Sequence, residues 1–133
     1  DYIYKTMKKI INTSNAPAGI GPYSQAVLVD NTLYCSGQIA LDPLTGDLVM
    51  DTIEEETEQV MKNIEAVLAA SKMNFKHVVK CSIFMSSIEY YDEINEIYSR
   101  YFKDTSPARE AVAVKTLPKN VNVEISVIAH NAI

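Results

Sequence analysis

Only two segments of this 133-residue chain have the spacing of an amphipathic helix, and its other apolar residues fall in short runs typical of strands. The clearer helix is predicted over residues 52–72, where Thr52 and Glu55 form a capping-box pattern. The second is predicted over residues 88–102, directly after a pair of serines that can cap it. Two helices can cover only one face of a sheet, so the pattern predicts a two-layer domain whose other sheet face needs burial.

Six runs bounded by Gly, Pro, Asn or Asp have the pattern of strands. These runs are residues 8–12, 26–29, 32–36, 78–85, 111–114 and 121–129. The resulting order is β-β-β-α-β-α-β-β, and it predicts an α/β (α+β) domain in which a mixed sheet has two helices on one face. Since nothing in so short a chain is left to cover the other face, the sequence predicts a homo-oligomer that packs sheet faces together.

The length accounts for one domain, predicted over residues 8–133, because domains cluster near ~100–150 residues. Residues 1–7 are expected to lie outside it, as an expression remnant, a trimmed leader or a disordered N-terminus. Lys and Arg number 12 and Asp and Glu 17, and the resulting net charge of −5 disfavours binding to nucleic-acid phosphates. No apolar run approaches the ~20 residues of a membrane span. We therefore expect no membrane partner and a cytoplasmic location, with an organelle left open.

The few cysteines and histidines limit metal and disulfide chemistry. Cys35 and Cys81 lie in strand-like runs and are predicted to be buried, reduced thiols. His77 and His130 have no Cys or carboxylate near them at zinc-type spacing, and they stand in places that do not suggest a serine-hydrolase triad. The chain also lacks a phosphate-binding glycine motif, so we predict neither a metal nor a cofactor.

A small set of polar residues stands in settings that suit chemistry. Tyr23 ends a stiff Pro/Gly-rich loop, and Ser36 with Gly37 ends a strand where a glycine permits close approach of a ligand. Arg109 is placed just before a strand, where a guanidinium suits bidentate capture of a carboxylate. Glu124 lies in a strand otherwise built of Val, Ile, Ser and Ala, so it is either paired or tuned for proton transfer. A lone Arg or Glu is more often structural, and it is the combination that indicates a site.

A series of stretches in the right order and spacing, across about residues 8–129, matches one known family. They are residues 15–26 (NAPAGIGPYSQA), 36–39 (SGQI), 42–46 (DPLTG), 95–98 (NEIY) with Phe102, 107–109 (PAR), 117–119 (LPK) and 123–125 (VEI). The chain thereby resembles the RidA (YjgF) family of reactive-intermediate deaminases. The resemblance implies a chorismate-mutase-like fold and a homotrimer with sites in the clefts between subunits.

The resemblance also implies an activity that uses neither metal nor organic cofactor. The reaction is hydrolytic deamination of 2-enamine and 2-imine acids, such as 2-aminoacrylate and 2-iminopropanoate, to 2-keto acids and ammonia. Arg109 is then expected to bind the substrate carboxylate, and Glu124 to activate water and protonate the leaving amine. Tyr23 is expected to orient the substrate or the water. The implied partners are small 2-imino and 2-keto acids.

The same resemblance gives Ser36, Gly37, Asn95 and Ala111 as substrate-binding positions. Many deaminating members carry Cys where this chain has Ala111. In the family that Cys acts mainly through its backbone N–H, so Ala111 is expected to serve in its place. Glu110 precedes it, and its charge is expected to alter the local field and the substrate preference.

Two other functions stay open at this point. A non-catalytic regulatory trimer that binds 2-keto acids needs Arg109 alone, whereas hydrolysis also needs the acid/base group that Glu124 supplies. A translation-inhibiting endoribonuclease, a label attached to some relatives in the family, is disfavoured by the net charge of −5, the absence of a basic stripe and the lack of a His pair.

Overall fold

The computed structural model describes residues 8–131, and the predictions for residues 1–7 and for the last two residues of the domain lie outside that range. The strands are β1 (Lys8–Ile11), β2 (Ala26–Val29), β3 (Thr32–Cys35), β4 (Val78–Met85), β5 (Ala108–Ala113) and β6 (Val123–His130), and the helices are α1 (Ile53–Ala70) and α2 (Tyr91–Ser99). The strands form one sheet in the order β1-β2-β3-β6-β4-β5. Only the β4–β5 pair is parallel, so the predicted element order and mixed sheet are confirmed.

Helix α1 forms as its sequence predicts. The Thr52 hydroxyl accepts a hydrogen bond from the Glu55 backbone N–H at 3.0 Å, and three glutamates occupy the first turn, where the helix dipole favours negative charge. Its apolar stripe, which includes Ile64 and Leu68, is fully buried against the sheet. This burial fixes the helix layer on one face of the sheet.

Helix α2 is shorter than the predicted range of 88–102. Ser87 caps a 3₁₀ turn at Ile88–Tyr90, and the α-helix follows from Tyr91 to Ser99. The next three backbone N–H groups, from Arg100 on, bond to carbonyls three residues back, at 3.1–3.2 Å. That tighter pattern ends the α-helix and turns the aromatic side chain of Phe102 into the core.

Strand β5 begins three residues earlier than its predicted start at residue 111. Parallel pairing with β4 runs from Lys80–Ala108 to Met85–Ala113, so tertiary contacts override the weak strand preference of the Ala-Arg-Glu-Ala segment. Arg109 therefore lies inside the strand, and the expectation that it stands just before one is wrong.

Most of the sheet face opposite the helices is left uncovered by residues 8–131, as the helix count predicts, although Phe84 at one end of it packs against Ile39, Leu117 and Val121. Its side chains include Ile10, Tyr34 and Val112, which are 47%, 49% and 42% exposed. Ile10 and Tyr34 alternate along their strands with buried residues that face the helices, and Val112 follows Ala111, which is half-buried on the helix side. The face thus presents a broad, partly apolar surface.

Both cysteines are free thiols. Cys81 is fully buried, as predicted, whereas Cys35 at the end of β3 is only half-buried. Burial raises the pKa of Cys35 to about 12 and the pKa of Cys81 to about 11. Neither is a thiolate at neutral pH, so nucleophilic thiol chemistry is disfavoured.

Candidate functional site

Glu124 stands on β6, at a small cavity of about 50 Å³ on the sheet face away from the helices. Tyr23 and Gly37 line the same cavity, so the structure brings three of the predicted site residues together: Tyr23, Gly37 and Glu124. Burial raises the pKa of the Glu124 carboxyl, and no hydrogen bond from another described residue opposes that shift. A half-buried carboxyl with free lone pairs can accept a proton from a bound water.

Gly37 lines this cavity and also makes room for the Glu124 side chain, a task that the sequence did not indicate. A Cβ at this position would lie 2.9 Å from Glu124 Cδ and 3.0 Å from Glu124 Oε2. The Glu124 side chain thus crosses the bare Cα of Gly37. Hydrogen bonds between Gln38 and Ile125, at 2.8 and 3.1 Å, hold the two segments in this register.

Ser36 holds the loop that carries Tyr23. Its hydroxyl donates to the Ser24 carbonyl at 2.6 Å, and its backbone N–H donates to the Gln25 carbonyl at 2.9 Å. With its own hydrogen committed to the loop, the hydroxyl of Ser36 retains only acceptor capacity for a substrate. Tyr23 itself is 51% exposed, with its ring in the cavity wall.

Two buried polar residues that the sequence did not single out brace the walls of this cavity. The side chain of Gln25 is bonded to the backbone of Thr13, Ala16 and Pro17, at 2.7–3.2 Å. Glu56 on α1 is 0% exposed, and its carboxylate accepts hydrogen bonds from Asn122 and Val123. A buried polar group needs such partners, and these bonds fix the loop and the start of β6. The family motif could have indicated Gln25, since that residue lies within it. Nothing in the sequence distinguishes Glu56 from the other acidic residues at the start of α1.

Arg109 is held by aromatic side chains of α2. Its Nη2 donates to the Tyr91 hydroxyl at 2.7 Å, and its Cζ lies 4.9 Å from the Tyr98 ring centroid and 5.7 Å from that of Tyr91. The guanidinium has no carboxylate partner among residues 8–131. It faces an open cleft of about 480 Å³ that Asn95 also lines, so these two predicted site residues lie together. A half-buried, unneutralised guanidinium suits capture of an external carboxylate.

The backbone of β5 adds donors next to Arg109. The Val114 N–H donates to the Met85 carbonyl at 2.8 Å, and successive N–H groups of a strand point to opposite sides. The N–H groups of Arg109 and Ala111 therefore point outward from β5, which is an edge strand. Ala111 can offer its N–H there without a thiol, in keeping with the expectation for that position.

Glu110 points away from the Arg109 cleft. It forms an ion pair with Lys80 at 3.0 Å and accepts a hydrogen bond from Ser82, and both partners lower the pKa of its carboxyl. All three residues lie on the uncovered face of the sheet. Glu110 thus lies outside the Arg109 cleft but on the same sheet face as Glu124, and its expected effect on substrate preference stays a prediction.

The sheet separates Arg109 from Glu124 within one chain. Arg109 pairs with Cys81, whose side chain faces the helices, whereas Glu124 pairs with Phe84 on the other face. Because side chains of a strand alternate between faces, the two charged groups point in opposite directions. The described part of one chain thus holds two half-sites and no cavity that contains both groups.

The two histidines have local structural partners. His77 Nδ1 accepts from the Asn74 backbone N–H at 3.0 Å, and His130 Nδ1 lies 3.0 Å from the Thr32 hydroxyl. Across residues 8–131, no group of three or more His, Cys, Asp or Glu side chains could hold a metal ion. In the same part of the chain, no helix combines the length and apolar character that crossing a bilayer requires.

Comparison with known proteins identifies the family. The family model described as Endoribonuclease L-PSP matches residues 13–131. A protein of Lactococcus lactis named as a regulator, AldR, is 53% identical over 121 residues, which cover 91% of this chain and 96% of that protein. The human 2-iminobutanoate/2-iminopropanoate deaminase is 46% identical over 123 residues, which cover 92% of this chain and 90% of the human protein.

A solved structure agrees with these sequence matches. YyfA from Yersinia pestis, a member of the Rid family, is 49% identical and superposes with a TM-score of 0.91, over 94% of this chain and 100% of that one. The structural comparison and the sequence comparisons thus identify the same protein family. The chain belongs to the Endoribonuclease L-PSP family, which is the RidA (YjgF) family that its motifs predict.

Proposed function

We propose that this protein is an imine deaminase that hydrolyses 2-iminobutanoate and 2-iminopropanoate to the 2-keto acids and ammonia. The observation that carries the proposal is the half-buried Arg109 guanidinium, which is unneutralised among the described residues and held at the mouth of an open cleft. The name of the human relative supports the same activity. The substrate is an anion that a guanidinium binds well, and its imine carbon is already electrophilic.

The proposed reaction adds water to the imine and expels ammonia. Arg109 and the Ala111 N–H hold the substrate carboxylate, which fixes the imine carbon for attack. Glu124 takes a proton from water as its oxygen bonds to that carbon and passes this proton to the imine nitrogen, which gives a carbinolamine. Glu124 then takes the proton of the new hydroxyl and gives a proton to the amine, so that the C–N bond breaks, ammonia leaves and the C=O bond of the keto acid forms. Tyr23 orients the water or substrate, and Asn95 contacts the substrate beside Arg109.

The complete site is proposed to form between two subunits of a homotrimer with the chorismate-mutase-like arrangement. Arg109 and Glu124 point to opposite sides of one sheet, so a cleft that holds both needs a second chain. The uncovered face, with Ile10, Tyr34 and Val112 exposed, provides the surface on which subunits pack. Each chain then gives its Arg109 half to one site and its Glu124 half to another.

The first experiment measures imine hydrolysis. An amino-acid oxidase acting on alanine generates 2-iminopropanoate, and semicarbazide competes for the imine as a trap. Faster loss of imine with the wild type than with Arg109→Ala would support the deaminase, provided that both variants assemble alike by light scattering. Equal rates with both proteins would refute the proposed role of Arg109.

Mixing two inactive variants tests the shared site. In a trimer that contains both Arg109→Ala and Glu124→Gln chains, one interface joins an intact Arg109 to an intact Glu124. Denaturing and refolding an equal mixture should therefore restore about a quarter of the wild-type activity, since random assembly gives mostly mixed trimers. No recovery, with mixed trimers verified by mass spectrometry, would show that both groups act from one chain.

A second candidate is a regulatory protein that binds 2-keto acids without turnover. The 53% identity to the regulator AldR favours it, because the Arg109 cleft alone could bind such ligands. Titration with 2-oxobutanoate separates the two. Binding without any imine hydrolysis would favour the regulator.

A further inference from the structure

The contact between Tyr91 and Arg109 is the polar interaction at the candidate site that the proposed reaction does not use. Tyr91 is the first residue of α2, and its ring packs against the hydrophobic core. Its hydroxyl accepts a hydrogen bond from Arg109 Nη2 at 2.7 Å. The sequence pattern places Tyr91 in an apolar helical stripe, which predicts packing alone.

Tyr91 and Tyr98 restrain the guanidinium in different ways. The Tyr98 ring attracts the cation from 4.9 Å, but a cation–π contact leaves the guanidinium free to turn over the ring. The hydroxyl of Tyr98 is buried beside Cys81 and Arg109 but makes no hydrogen bond of ordinary geometry to either, so it restrains the rotation of the guanidinium less than the Tyr91 hydroxyl does. The Tyr91 hydroxyl bonds one Nη atom and so selects one rotation of the planar group.

The hydrogen bond to Tyr91 leaves the other N–H donors of the Arg109 guanidinium available for a ligand. An arginine has five N–H donors in a rigid plane, and Tyr91 occupies one of them. Tyr91 is not among the residues that line the cleft in front of Arg109, which include Asn95, Ser99 and Pro107. It therefore holds the guanidinium from outside the ligand's space.

We propose that Tyr91 is a positioning residue that pre-orients Arg109 for bidentate capture of the substrate carboxylate. The proposal rests on the proposed function in one respect, the use of Arg109 to bind a 2-imino or 2-keto carboxylate. Pre-orientation lowers the conformational entropy lost when the ligand binds, so its removal weakens binding of substrate and product alike. The chemical step, which depends on Glu124, is unaffected.

The test compares Tyr91→Phe with the wild type and with Tyr90→Phe. Tyr90 packs against the same core and serves as the matched loss of a hydroxyl. For Tyr91→Phe we expect KM for 2-iminopropanoate and Kd for 2-oxobutanoate to rise roughly tenfold, which corresponds to about 1.4 kcal/mol. We expect kcat to stay within about twofold, because the interaction is equal in ground and transition states. Unchanged Kd, or tighter binding in Tyr91→Phe, would overturn the proposal.

A double-mutant cycle excludes a merely structural effect. Lysine at position 109 keeps the charge but lacks the planar fork, so Tyr91→Phe should not weaken 2-oxobutanoate binding further in an Arg109→Lys background. An equal loss in both backgrounds would show that Tyr91 acts by another route. The Kd for 2-oxobutanoate also tests the role of Tyr91 independently of the deaminase assignment. If the wild type binds 2-oxobutanoate but hydrolyses no imine, the assignment fails while the Kd comparison still decides the role of Tyr91.

Discussion

A single methyl group at Gly37 should disable the acid/base half of the site. The Cβ of Gly37→Ala would lie 2.9 Å from Glu124 Cδ and 3.0 Å from both Cγ and Oε2. Non-bonded carbon atoms pack at ~3.5–4.0 Å, so the Glu124 carboxyl must move by roughly 1 Å. The backbone at Gly37 is not in the left-handed region, where an L-residue would be strained. The substitution therefore displaces a flexible side chain and leaves the fold intact.

The displacement should act on turnover and not on binding. Misplacing a catalytic group by about 1 Å costs roughly 10²-fold in rate, so kcat of Gly37→Ala should fall by about that factor. Binding of 2-oxobutanoate should change little, because its carboxylate is proposed to be held by Arg109 and the Ala111 N–H of the neighbouring subunit, which the new methyl group does not displace. The thermal midpoint should stay close to that of the wild type.

The assay is semicarbazide-trapped imine hydrolysis, combined with calorimetric titration of 2-oxobutanoate. Gly21→Ala is the matched control, since a Cβ at Gly21 would meet only Tyr23 ring atoms at 3.5 Å, an ordinary contact. We expect the control to keep wild-type kcat. A Gly37→Ala protein with wild-type kcat would refute the assignment of proton transfer to Glu124 in the position that the structure gives it.

Three further predictions concern Arg109, Glu124 and Glu56. Arg109→Ala should lower kcat/KM for 2-iminopropanoate by at least ~10²-fold with only a small fall in the thermal midpoint, because the guanidinium lacks an ion-pair partner in the described chain and loses only its contacts with Tyr91 and Tyr98. Burial raises the pKa of Glu124 above its ordinary value of 4.5. A general base must be ionised to act, so kcat/KM should rise with pH as Glu124 loses its proton, through an acid limb whose midpoint lies above 4.5. Glu124→Gln should abolish that limb and lower kcat by about 10²–10⁴-fold, and a retained limb would assign it to another group. Glu56→Ala should reduce the free energy of unfolding by roughly 3 kcal/mol in urea titrations, and Glu56→Gln by less, because the alanine leaves the donors of Asn122 and Val123 unpaired.

The elements with strong local signals could be predicted from the sequence. The Asp30-Asn31 pair predicts the tight turn between β2 and β3, and Asp30 adopts the left-handed φ of 51° that such turns use. The capped, regularly spaced helix α1 also follows from local patterns. Strand β5 could not be placed in the same way, because its start depends on pairing with β4, which is remote in sequence.

The site was predictable as a set of residues and not as an arrangement. The motifs identify Tyr23, Arg109 and Glu124, but only the strand register shows that Arg109 and Glu124 face opposite sides of the sheet. The roles of Gly37 and Tyr91 also depend on packing between distant segments. Neither a glycine at a strand end nor a tyrosine in an apolar helix stripe has a local pattern that reveals its partner.

The opposed directions of Arg109 and Glu124 have a consequence for gene dosage. In the proposed trimer each chain serves two sites, so a chain without Arg109 inactivates one site of a mixed trimer and leaves the others intact. A chain that lacks both groups inactivates two. In a cell that expresses a normal and a defective copy, single-residue lesions would then behave as recessive alleles, whereas a chain with both lesions would partly poison its normal partners.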